Sequence, residues 1–364
     1  MRVNDKIADK LLGSCKFLTS EGMTCLSRIS SMFGFGESQF GLANNPGRHR
    51  LCSMAYNLII SLLILMIVGV NAGESVASPM ARVTTIDNDP VEHELPALPS
   101  SFQTGIRFAQ EGDYPAALIA FSKAIQSDAR LTDAYANRCL IFLQMSHYHE
   151  AIADCDKAIV LQPDHMNARL NRGLALYRQG NQLKAVRDFT AVLNQRPYDV
   201  QARYNRGLAE AIQGQHAQAI EDFNQALRHA NRANDLTLAN IYSDRGITRL
   251  QQGNAVGAIA DLSMALRFND ETAQIYYNRA CAYHLEGHLW QARQDFTAAL
   301  ARDPGFAQAY FNRGMLYRQL GQSERAIADL KAAAHRFEEQ GASIAQHNTI
   351  KLIRQLHTHL SAIG

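Results

Sequence analysis

The sequence predicts an all-α solenoid: antiparallel helix pairs stacked in seven repeats, with a capping helix at the carboxyl end. Three observations predict it. The phrase Asn-Arg-Gly recurs at a 34-residue spacing, small residues recur at two fixed places in each period, and glycine recurs where the first helix must stop. A period of this length marks a unit that cannot bury its apolar face alone and must stack on copies of itself.

The phrase stands intact as Asn171-Arg172-Gly173, Asn205-Arg206-Gly207 and Asn312-Arg313-Gly314. It is altered as Asn137-Arg138-Cys139, Asp244-Arg245-Gly246 and Asn278-Arg279-Ala280. One five-residue insertion, near Asn231–Leu236, breaks the spacing. Repeats therefore begin near Leu98, Thr132, Met166, Val200, Ala239, Ala273 and Ala307, and the array ends near Gln340. Each repeat needs two helices, A and B, in close contact. The eighth position is Gly105, Cys139, Gly173, Gly207, Gly246, Ala280 and Gly314, and the twentieth is alanine throughout, from Ala117 to Ala326. A large side chain at either would hold the helices apart, at about 1–3 kcal/mol. Phe121, Phe189, Phe223 and Phe296 fill the space around them. Glycine closes helix A in six repeats, as at Gly180 and Gly214, because it adopts the left-handed conformation freely. Pro163, Pro197 and Pro304 end helix B, since proline cannot continue one. In residues 341–364, Ile350, Ile353, Leu356 and Leu360 approximate one face against Lys351, Arg354 and His357, the pattern of a solvating cap.

Over about 240 residues these features closely resemble the tetratricopeptide-repeat family. The resemblance implies a right-handed superhelix whose A helices line the concave face, and a non-catalytic role in binding other proteins.

Residues 1–97 are a different kind of sequence. No charged residue lies between Arg50 and Glu74, and Leu58–Val70 is nearly all apolar. Residues 51–72 thus read as a transmembrane anchor or, with a cleavage site near Ala72, as a signal peptide. Seven Lys or Arg precede the run against four acids, which puts residues 1–50 in the cytoplasm and the repeats on the exported side. Cleavage instead would make the repeats secreted or periplasmic. Residues 73–97 are acidic, proline-bearing and aperiodic, the composition of a flexible linker.

Composition narrows the chemistry. A net charge of +2 argues for no nucleic-acid partner. Six cysteines without a CxxC pair provide no zinc framework. No phosphate loop, HExxH or nucleophile elbow occurs, so no enzyme, cofactor or metal is expected. His147 with His149, and His357 with His359, are two apart and point to different helix faces. His284 and His288 are four apart, but Gly287 ends the helix between them. Cys139 and Cys155 hold positions 8 and 24 of the second repeat, which family geometry brings together. They are a candidate disulfide in an oxidising compartment, or two small buried residues. The narrow geometry of a disulfide favours the second reading.

Arg at position 7 accompanies Asp at position 23 in six repeats: Arg138 with Asp154, Arg172 with Asp188, Arg206 with Asp222, Arg245 with Asp261, Arg279 with Asp295, and Arg313 with Asp329. The first repeat has Thr104 and Ala120 instead. Joint presence and joint absence suggest a structural ion pair within each repeat.

The resemblance assigns helix A positions 2, 5, 6, 9, 12 and 13 to the binding face. Position 6 is Asn137, Asn171, Asn205, Asn278 and Asn312 in five repeats, and asparagine both donates and accepts. Beside it run uncharged rows that include Leu140, Leu174, Tyr204, Leu208, Tyr277 and Phe311. Either these residues bind an extended peptide or protein segment, or they bond and pack against neighbouring repeats. No repeat has Lys at position 5, unlike relatives that clamp a carboxylate tail. The expected protein is a membrane-tethered or exported scaffold, and the alternative is a structural module that self-associates. Accessory membership of an enzyme complex is a third reading.

Overall fold

The structure, a computed structural model, describes residues 99–230 and 233–361. The segments expected at 1–50, 51–72 and 73–97 lie outside the described residues. Among the described residues no helix is long and apolar enough to cross a membrane.

Among the described residues, fifteen α-helices form seven A–B pairs and a cap. In chain order the pairs are α1 (Ser100–Glu111) with α2 (Tyr114–Ser127), α3 (Thr132–Gln144) with α4 (Tyr148–Leu161), and α5 (Met166–Arg178) with α6 (Gln182–Gln195). They continue as α7 (Val200–Ile212) with α8 (His216–His229), α9 (Asp235–Gln251) with α10 (Ala255–Phe268), α11 (Ala273–Leu285) with α12 (Leu289–Arg302), and α13 (Ala307–Gln319) with α14 (Ser323–Glu339). The cap is α15 (Ser343–Ser361). Each helix packs on its neighbours in sequence, and A helices of successive repeats also touch along the first six repeats. That closer approach places the A helices on the inside of the curve.

The close crossing within each pair follows from the small residues. Every alanine at position 20 is fully buried. A Cβ on Gly105, Gly173 or Gly207 would come within 2.7–2.9 Å of the ring of Phe121, Phe189 or Phe223. Helix A ends on a left-handed residue in all seven repeats. Six are glycines, and the second repeat uses Ser146, at φ 61°. The five-residue insertion is spent partly on a longer helix, because α9 starts a turn early with Asn234 accepting from the Thr237 amide at 2.9 Å. In the cap, Ile353 and Leu356 are buried against Ile327 and Leu330. Thr349, not on the expected apolar face, is also buried, with its hydroxyl donating to the Ala345 carbonyl at 2.7 Å. Ile350 is half-buried, and the side chain of Leu360 lies outside the described set.

Candidate functional site

The six arginines at position 7 all sit between helices A and B. Each donates from Nε and Nη2 to both oxygens of its own repeat's Asp, at 2.6–2.9 Å and 2.5–2.9 Å respectively. The aspartates are 3–8% exposed, so they depend on these partners. The bond to Asp188 holds the Arg172 guanidinium above its ordinary range despite burial.

The pairs also reach outside their repeat. The remaining nitrogen, Nη1, donates to position 25 of the preceding repeat: Ser122, Asp156, Thr190, Asn224, Ser263 or Thr297, at 2.6–3.2 Å. Each arginine therefore clips two helices of its own repeat and one of the repeat before. The first repeat has no repeat before it among the described residues, which accounts for its lack of the pair. Thr104 there bonds its own helix, donating to the Ser100 carbonyl at 2.8 Å. Position 25 of the seventh repeat, which the cap helix α15 follows, is Lys331. The polar row at position 25 was visible in the sequence, but only its spatial partner gives it meaning.

Along the concave side the rows expected to bind divide. Tyr204 and Tyr277, candidates for the binding rows, are 6% and 2% exposed. The Tyr204 hydroxyl donates to Asp244 at 2.5 Å, and the Tyr277 hydroxyl accepts from Asn312 Nδ2 at 2.9 Å. Position 5 of one repeat thus bonds position 6 of the next, and these tyrosines belong to the inter-repeat core. Leu140 is buried as well, whereas Leu174, Leu208 and Phe311 remain half-buried.

The asparagines divide in the same way. Asn137 is half-buried and donates to the Asp133 carbonyl of its own helix at 2.9 Å. Asn278 and Asn312 are 1% and 2% exposed. Asn278 Oδ1 accepts from Gln274 at 3.0 Å, while its Nδ2 is shielded and unpartnered among the described residues. The shorter Ser243 stands at position 5 of the preceding repeat, where the next repeat has Tyr277. Asn171 is half-buried and Asn205 is 8% exposed, and neither has a side-chain hydrogen bond among the described residues. They stand beside Leu174 and Leu208 in the middle of the array.

Two carboxyl groups on α7 and α9 are held well above their ordinary pKa range. Burial pushes Asp244 up to about 6, opposed by the bond from Tyr204. Glu210 occupies position 11, which is apolar or aromatic in five other repeats. Burial, then the charge of Asp222, raises it to about 7, while Arg206 pulls it back. Its Oε2 has no partner among the described residues. That largely apolar row was the signal in the sequence that Glu210 is buried rather than solvated. No three His, Cys, Asp or Glu side chains gather to hold a metal among the described residues.

Tetratricopeptide-repeat family models match residues 140–203, 183–235, 273–306 and 296–328. No curated protein matches the chain significantly. Among solved structures, a tetratricopeptide repeat protein from Parabacteroides merdae is 19% identical with TM-score 0.53, over 69% of this chain and 97% of that one. The C-terminal part of a repeat protein from Cytophaga hutchinsonii is 14% identical with TM-score 0.52, over 64% and 94%. PilW, a type IV pilus biogenesis factor, is 18% identical with TM-score 0.51, over 56% and 92%. Residues 140–235 and 273–328 are tetratricopeptide repeats, and the chain from Ser100 to Ser361 folds as a tetratricopeptide solenoid.

Proposed function

We propose that this protein is a non-catalytic scaffold that binds an extended peptide or protein segment along its concave face. Tetratricopeptide repeats generally serve as protein-interaction scaffolds, which supports the class. The observation that carries the reading is the pair Asn171 and Asn205. Both lie on A helices, both keep unused amide groups, and both are flanked by half-buried leucines. An amide that bonds nothing in its own protein is available to a ligand's backbone. The apolar neighbours would cover the ligand's side chains without demanding a charge.

The repeats are proposed to lie on the exported side of a membrane, tethered or released. The charge asymmetry around residues 51–72 supports this.

A second reading is self-association through the B helices. Leu183, Val256 and Trp290 all occupy position 18 and are 67%, 66% and 58% exposed. Photo-crosslinking residues at Leu174 and at Val256 in the full chain separate the two. Crosslinks to another protein from Leu174 support the groove. Crosslinks only from Val256, to a second copy, support self-association.

A further inference from the structure

Every repeat must settle what happens where position 8 meets position 24. In the third repeat Gly173 faces Phe189, and in the seventh Gly314 faces Leu330. A Cβ on either glycine would lie 2.8 or 3.1 Å from the nearest atom of its partner. The second repeat changes both positions at once, to Cys139 and Cys155. Their Cα atoms are 5.5 Å apart and the two are joined as a disulfide. This corrects the sequence expectation of two unbonded core residues. Packing alone asks for one small and one bulky residue here, whereas a bond asks for this matched pair.

The setting identifies its role. Both cysteines are fully buried, in an apolar cluster with Leu140, Leu143, Ala151 and Ala175. Neither sulfur is open to a redox partner once α3 and α4 have closed on each other. The bond must therefore form while the hairpin is still opening and closing during folding.

We propose that the second repeat matures by oxidation. The chain folds in an oxidising compartment, where a protein disulfide donor makes the Cys139–Cys155 bond as a permanent staple. In the first step one cysteine thiolate attacks the donor's disulfide, forming a mixed disulfide and releasing one donor thiol. In the second, the other cysteine thiolate attacks the chain's own sulfur in that mixed disulfide and releases the second donor thiol. The chain loses two electrons and two protons, and the donor's disulfide is reduced to a dithiol.

The test uses full-length protein purified from its own cell without reductant. Trypsin cleavage after Arg138 and Lys157 releases residues 139–157 as one peptide holding both cysteines. Cys281, a buried free thiol in a separate peptide, is the internal control. After denaturation and alkylation, the 139–157 peptide should be two hydrogens lighter than its dithiol form and carry no label, while Cys281 is fully labelled. Two labels on the 139–157 peptide would overturn the proposal. A second arm tests the staple itself. Reductant, with reduction verified by mass, should lower the Tm of the wild type by about 5–10 °C. The variant Cys139→Gly, Cys155→Phe, which restores the neighbours' pair, should be insensitive to reductant. A reduced wild type that melts unchanged would show that the bond does not hold the repeat together.

Discussion

Arg279 grips both carboxylate oxygens of Asp295, at 2.7 and 2.9 Å, and reaches Ser263 of the preceding repeat at 3.1 Å with its remaining nitrogen. Like Arg138 and Arg313, it serves one aspartate and one hydroxyl. Asp222 has a second arginine, Arg203, at 3.4 Å, and Asp261 has Arg249 at 2.8 Å. Replacing Arg279 with Met should strand Asp295, which is 6% exposed, and cost about 2–4 kcal/mol. Adding Asp295→Leu should recover part of that loss, because no buried charge then lacks a partner. Denaturant unfolding of the single and double variants measures the coupling. Strictly additive effects would show the two charges to be independent.

Ser146 holds a left-handed conformation, φ 61°, where the other repeats use glycine. A side chain there costs on the order of 1 kcal/mol. Ser146→Gly should stabilise the second repeat by about that amount, less the extra chain entropy that glycine gives the unfolded state. A lower melting temperature would show that Ser146 makes a contact worth more than its strain.

Glu210 and Asp244 should make stability fall as pH rises. Burial raises both, to about 7 and about 6, above the values they take in an unfolded chain. The folded state therefore holds protons that the unfolded state has already released. Their contribution is complete below about pH 4 and is lost progressively up to pH 7. For Glu210 the loss is on the order of 3 kcal/mol. Glu210→Gln should remove about half of the slope, and Asp244→Asn, which restores the usual residue of that row, about the other half. Unfolding curves across pH 4–8 with no such slope in the wild type would place Glu210 in contact with water.

If the repeats are exported, protease added outside sealed spheroplasts should digest them. An anchored protein should also resist carbonate extraction. Repeats protected from outside protease until detergent is added would contradict the proposed side.

The helix boundaries were legible in the sequence because they depend on local chemistry. Glycine at Gly180 stops a helix and small residues at Gly173 and Ala185 let two helices touch, whatever lies farther away. The arginine–aspartate pairs were legible because two positions vary together. What stacking decides was not legible. A tyrosine on helix A has the same neighbours in sequence whether it faces the groove or the next repeat. Only the approach of α9 to α7 places Asp244 on the Tyr204 hydroxyl and closes that site. Likewise, the polar residues at position 25 gain a partner only when the next repeat's arginine stacks beside them. The disulfide was set aside because the chain shows which positions meet but not how close their backbones come.

The proposed grip on a ligand's backbone runs through Asn171 and Asn205 in the middle of the concave face. Its most direct test is the double variant Asn171→Ala, Asn205→Ala, with partner affinity and melting temperature measured on the same preparation. Neither amide bonds anything among the described residues, so the melting temperature should hold. Each lost backbone hydrogen bond should weaken binding by about 0.5–1.5 kcal/mol, together roughly tenfold to a hundredfold. Unchanged affinity with a lower melting temperature would contradict the account and assign both asparagines to the scaffold.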